Sequence, residues 1–232
     1  MVIFVRSMNF VLFFWVFLYG FSYSLAETVT HFTGGSLWVT PLTMLGYCLL
    51  LFFWLIHTNR AAAIGLSPVR LHAKTDLIYL IPLLILPVLN LSGTAAMNPP
   101  HYTLLMISVC FAEELLFRGF LLSFLIRHLG RWGIFCSALA FSLLHCVNFF
   151  SDMPASYVLI QILLALFVGI YYSLVRLCCK SLYPCIIAHF LTNITASADA
   201  VSLTYTSFHI VTLTICGFVL YFKISSELED LS

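Results

Sequence analysis

Glu113 and Glu114 stand side by side, with Arg118 four residues on, in a stretch from Tyr102 to Ile126 that is otherwise almost wholly apolar. An ionisable side chain near the middle of a bilayer costs roughly 2.5 to 17 kcal/mol before pairing or snorkelling relieves it. Three formal charges within six residues therefore need partners or a use. Two further polar sets lie in apolar surroundings: Phe141 with His145, and His189 with Asn193. A carboxylate beside imidazoles can act as general base toward a water. Imidazole and amide N–H groups can stabilise the oxyanion formed when that water attacks a carbonyl.

Spacing divides the labour. Glu114 and Arg118, four apart, pair along one helical face. Glu113 is rotated from Glu114 by about 100° and stacks over Phe117, which leaves it to face other helices as the candidate base. His189 and Asn193 share a face and can point at one bound group. Phe141 puts an aromatic wall one turn below the His145 imidazole. Glu113, His145 and His189 could alternatively bind Zn²⁺, which would activate the water itself. The absence of a His-Glu-x-x-His motif, together with Arg118 competing for the carboxylates, favours chemistry without a cofactor. His57, His72, His101, His128 and His209, most of them near span ends or loops, read as satisfied structural residues. Asn193 opens a glycosylation sequon, but within a span. Asn90 and Gln161 read as structural.

These residues need a scaffold, and composition says which kind. The 232 residues are 62% hydrophobic and 8% charged, with a net charge of +1 and a mean hydropathy of +1.06. Soluble domains run near a quarter charged, so the chain reads as an all-α integral membrane protein, one transmembrane domain over 1–232. No basic block suggests nucleic acid. Apolar stretches at about 8–26, 37–57, 76–91, 102–128, 132–150, 156–178, 182–199 and 204–224 predict about eight spanning helices. The third is the weakest, being short and carrying Pro82 and Pro87. The eight cysteines form no C-x-x-C pair and read as small buried residues.

Lys and Arg outside these spans or at their ends fall at Arg6; Arg60, Arg70 and Lys74; Arg127 and Arg131; Arg176 and Lys180; and Lys223, all on one side of an eight-span chain. The alternate loops hold Glu27, Asp152 and Asp199 and no cation. The positive-inside rule then makes both termini cytoplasmic. At roughly 1.5 Å per residue, Glu113 lies about 21 Å above Arg127, His145 about 21 Å above Arg131, and Asn193 about 20 Å above Lys180. The polar groups thus share one layer within the membrane. Arg6, an apolar core and Ser24-Leu25-Ala26 also resemble a signal peptide with a small-residue cleavage site. Glu227, Glu229 and Asp230 read as a solvated end.

Glu113-Glu114-x-x-x-Arg118, Phe141-x-x-x-His145 and His189-x-x-x-Asn193, in this order on membrane helices, resemble the CPBP family: the CAAX prenyl proteases and bacteriocin-processing enzymes, also called the Abi family. The resemblance covers roughly residues 100–196. It implies an intramembrane glutamic endopeptidase in which Glu113 activates a water and His145 helps to hold it. His189 and Asn193 would stabilise the oxyanion, with Glu114 and Arg118 in support. It implies a peptide or protein substrate, such as a peptide leader, bacteriocin or pheromone, or a prenylated C-terminal motif. Small size and short loops point to a bacterial plasma membrane. The readings from another class are a non-catalytic bacteriocin-immunity or scaffold protein and a transporter. No inverted repeat supports transport, and the complete residue set argues against a scaffold.

Overall fold

Long apolar segments leave the backbone no partners but itself, and helices are the outcome. The computed structural model describes residues 2–34, 36–71, 74–90, 98–150, 153–195 and 203–229. Among the described residues there are helices and no strands: α1 (Val2–Thr33), α2 (Val39–His57), α3 (Ile81–Asn90), α4 (Pro100–Glu114), α5 (Leu122–Leu129), α6 (Trp132–Leu144), α7 (Ala155–Cys179), α8 (Tyr183–Thr195) and α9 (Leu203–Glu229). A 3₁₀ segment, Lys74–Leu80, leads into α3, and another, His145–Phe150, continues α6. A π-helical segment, Leu115–Leu121, joins α4 to α5 as one rod. The result is eight successive rods that follow the eight apolar stretches of the sequence.

Among the described residues, five stretches are long and apolar enough to cross a membrane: Val11–Phe32, Val39–His57, Trp132–Phe150, Ala155–Cys179 and Thr206–Ser225. The other three rods have identifiable reasons to fall short. The third is 3₁₀ over its first half and carries Pro87 inside α3, as its prolines predicted. The fourth carries the charges and is interrupted by the π segment. The eighth helix has only 13 residues.

Two ends of the bundle are distinct. At one end, the Leu182 N–H donates to the Gly65 carbonyl, the Arg70 N–H to the Cys179 carbonyl, and the Ser67 hydroxyl to the Lys180 carbonyl. The basic loops 58–71 and 180–182 are therefore bonded together, and Lys223 pairs with the buried Asp76. At the other end the Thr40 hydroxyl donates to Glu27 at 2.7 Å, and Asn98 donates to the Ile194 carbonyl. The loops carrying Arg70 and Lys180 thus meet at one end of the bundle. Of the residues used in the sequence reading, His72, Asp152, Asp199 and Asp230 lie outside the described residues. So do the side chains of Arg6, Lys74, Asn90, Glu227 and Glu229.

The central element is the charged rod. Every residue from Ala112 to Phe120 is buried, the pattern of a helix enclosed on all sides. It packs against α1, α2, α6, α7 and α8. One core joins Trp15 and Tyr19 of α1, Tyr47 and Leu51 of α2, Leu116 and Phe141. A second gathers about α7, with Tyr171, Tyr172, Leu213 and Leu220. Close approach relies on small residues: a Cβ on Gly169 of α7 would sit 3.0 Å from the Cα and Cβ of Ala138 in α6. All eight cysteines are free, five of them buried. α1 runs unbroken through the Ser24-Leu25-Ala26 segment, where Ala26 is buried and its carbonyl accepts the Thr30 hydroxyl.

Candidate active site

α4 begins at a Pro99 cap with Pro100 in the first turn, a position that needs no backbone donor. Its apolar residues hold it among α1, α2 and α8, and this carries Glu113 and Glu114 to the centre of the bundle. Beyond Glu114 the helix widens into the π segment. There the Phe117 carbonyl accepts the Leu122 N–H, five residues on, and also the Ser137 hydroxyl of α6 at 2.9 Å. π turns tend to mark functional sites.

Arg118 Nη1 donates to Glu114 Oε1 at 3.0 Å, with side chains 1% and 0% exposed, so the predicted pair forms across the π turn. The pair is wrapped in rings. The Arg118 guanidinium carbon lies 3.9 Å from the centre of the Phe141 ring and 5.6 Å from that of Tyr172. Glu114 Oε2 and Arg118 Nη2 are buried without a hydrogen-bond partner among the described residues.

Glu114 does more than the spacing indicated. His189 Nδ1 approaches the same Oε1 at 2.9 Å. A carboxylate paired with arginine only accepts, so Nδ1 must carry the proton. Arg118, Glu114 and His189 thus form a buried chain that fixes the imidazole. The other imidazole nitrogen, Nε2, faces Glu113 Oε2 at 3.8 Å. That separation is too long for a direct hydrogen bond and of the kind a bridging water spans. Glu113 and His189 are each about 8% exposed.

Of the remaining predicted residues, Phe141 touches both imidazoles. The Phe141 ring centre lies 5.2 Å from that of His145 and 5.9 Å from that of His189, edge-on to both, and 5.3 Å from Phe117. His145 sits where α6 gives way to 3₁₀ turns, with Nδ1 3.2 Å from the Phe141 carbonyl oxygen. It interacts electrostatically with Glu113, His189 and Arg118. Asn193, one turn beyond His189, donates from Nδ2 to Cys110 Sγ at 3.4 Å. It therefore reaches α4 one turn before Glu113.

The hydrogen-bond donor to Glu113 escaped the sequence reading. The Tyr19 hydroxyl of α1 donates to Glu113 Oε1 at 2.8 Å. Its signal was faint: Leu12, Trp15 and Tyr19, all buried, form one helical stripe along α1. Among the described residues no group of three or more His, Cys, Asp or Glu side chains is arranged to hold a metal ion. A cleft of about 540 Å³ between α6, α7 and α9 is lined by Arg131, Phe167, Leu174, Leu213 and Tyr221, and includes none of the candidate site residues.

Residues 95–195 match the model of the type II CAAX prenyl endopeptidase Rce1-like family. The match runs from just before α4 to the end of α8 and takes in all seven predicted site residues. It is the family that the three motifs resemble. No curated protein and no solved structure matches the chain. The protein is a helical membrane protein with a CAAX-protease-like segment at its centre.

Proposed function

We propose that this chain is an intramembrane endopeptidase whose general base is Glu113. The reading is carried by one observation: Glu113 Oε2 and His189 Nε2 face each other at 3.8 Å, with the imidazole fixed from behind by Glu114 at 2.9 Å. A water in that gap gives a proton to Glu113 while its oxygen attacks the carbonyl carbon of a peptide bond. The tetrahedral intermediate places its negative oxygen among donors. His189, with Nε2 protonated as well as Nδ1, and the Asn193 amide once the substrate draws it from Cys110, are the candidates, each worth roughly 3–4 kcal/mol in comparable sites. Glu113 then returns the proton to the departing nitrogen as the C–N bond breaks, and it is again a carboxylate. His145 borders the water from the Phe141 side. Glu114 and Arg118 keep His189 in one orientation.

The substrate is a peptide or protein segment that enters the membrane layer in extended form, because a helix shields its scissile carbonyls with its own hydrogen bonds. Candidates are a peptide leader, bacteriocin or pheromone, or a prenylated C-terminal motif. A bacterial plasma membrane suits the small size and short loops.

The test compares the peptides released by cells carrying the wild-type chain and Glu113→Gln, then measures cleavage of one differing peptide by reconstituted protein. Glu113→Gln should fold and cleave at least about 1,000-fold more slowly, given the scale of general-base and electrostatic effects. Cleavage by Glu113→Gln at the wild-type rate would sink the assignment. A chelator should leave the wild-type rate unchanged. Loss of activity in chelator and its return with zinc would make the reaction metal-dependent instead.

A further inference from the structure

Tyr19 lies outside the matched segment, 94 residues from the carboxylate it touches. A phenol has one proton to donate, and Tyr19 directs it at Glu113 Oε1. A hydrogen bond to an ionised acceptor is the stronger kind, and here both partners are buried. The Tyr19 ring is fixed in turn. It lies edge-on to Tyr47 at 5.7 Å, and the Tyr47 hydroxyl donates to the Trp15 carbonyl at 3.0 Å. Trp15 packs against Tyr47 at 5.9 Å and Trp54 at 5.4 Å. These rings pack α1 against α2 and seat the phenol beside α4.

The consequence concerns the two oxygens of Glu113. Oε1 is occupied by Tyr19, whereas Oε2 is the oxygen turned toward His189. We propose that Tyr19 is a positioning residue: by holding Oε1 it fixes the Glu113 rotamer and leaves Oε2 as the oxygen that takes the proton from water. The active site would then be incomplete without α1, although every motif lies between α4 and α8. This inference rests on the reading of Glu113 as the base.

The test uses the full-length protein in liposomes. A hydrophobic carbodiimide modifies membrane-buried carboxyls, and mass spectrometry of the modified peptide reads Glu113 and Glu114 separately. Tyr19→Phe should raise labelling at Glu113 about tenfold, the scale of one hydrogen bond to a charged group, with Glu114 unchanged. On the peptide identified with Glu113→Gln, kcat should fall about tenfold with KM within about twofold. Unchanged labelling at Glu113, or an equal rise at both carboxylates, would overturn the proposal. Should Tyr19→Phe fail to fold, 3,5-difluorotyrosine at position 19 supplies the measurement, being nearly isosteric and a stronger donor. Labelling of Glu113 should then slow, and an unchanged rate would overturn the proposal equally. A fully active Glu113→Gln would instead refute the catalytic reading and leave the labelling result standing.

Discussion

Arg118→Ala tests the energetics at the centre of the bundle. The substitution removes a guanidinium that is 1% exposed from a carboxylate that is fully buried. Glu114 keeps His189 at 2.9 Å but loses its formal counter-charge. Breaking a buried ion pair from one side costs about 3–5 kcal/mol. The stacked contact with Phe141 at 3.9 Å contributes up to about 2 kcal/mol when desolvated. The two terms overlap, so the expected total is about 3–5 kcal/mol. Most of it should come from leaving Glu114 charged rather than from lost attraction. Adding Glu114→Gln should therefore restore about 2 kcal/mol, the signature of a coupled pair. Reversible unfolding in mixed micelles, followed by the fluorescence of Trp15 and Trp54 in the α1–α2 core, measures both variants. A cost under about 1 kcal/mol for Arg118→Ala would refute the reasoning. So would costs that simply add in the double variant, since the pair would then behave as two independent surface-like groups.

Three glycine substitutions probe the packing of the bundle. Gly169→Ala places a Cβ 3.0 Å from Ala138 and 3.4 Å from Arg118 Nη2. It should cost about 1–3 kcal/mol in the same unfolding assay by parting α6 from α7, and it should lower activity more than Gly217→Ala, whose nearest neighbours are at 3.6 Å. Gly65→Ala meets a harder limit. Gly65 has φ +100°, and an added Cβ would fall 2.3 Å from Arg176 Nε. The backbone strain should cost about 1–3 kcal/mol in the same unfolding assay, with the Arg176 side chain obliged to move aside.

The rods of this fold were legible because hydropathy is local. Each span is a run of residues that must leave water together, and Pro82 and Pro87 already marked the third as irregular. The grouping of basic loops was legible because charge alternates along the chain with each crossing. Pairing of Glu114 with Arg118 needed only their spacing. What sequence could not give were contacts between distant segments. Nothing near Tyr19 says that its hydroxyl meets Glu113, and nothing near His189 says that Nδ1 belongs to Glu114, 75 residues away. Asn193 was read from its spacing to His189, yet its partner is Cys110, an inconspicuous residue in an apolar run. These are choices made by packing. A carboxylate in lipid takes whichever donor the neighbouring helix presents, and the neighbour is set by the whole bundle.

The π segment from Leu115 to Leu121 alters how the central rod must be counted. Successive residues of an α-helix advance by about 100°, and the wider turn of a π-helix absorbs roughly one residue more than an α-helix would over a similar angle. A helical wheel drawn straight through 100–129 therefore misplaces everything after Leu121 by about one residue's rotation. Cys110 and Glu113 keep their phase with α1 and α8, while Leu122 and Ile126 keep theirs with the second core. The surplus residue falls between these two phases, where Arg118 is held. The rod thus serves two sets of neighbours with one uninterrupted backbone: Glu114 keeps the phase that meets α8, and Arg118 lies between the two stripes.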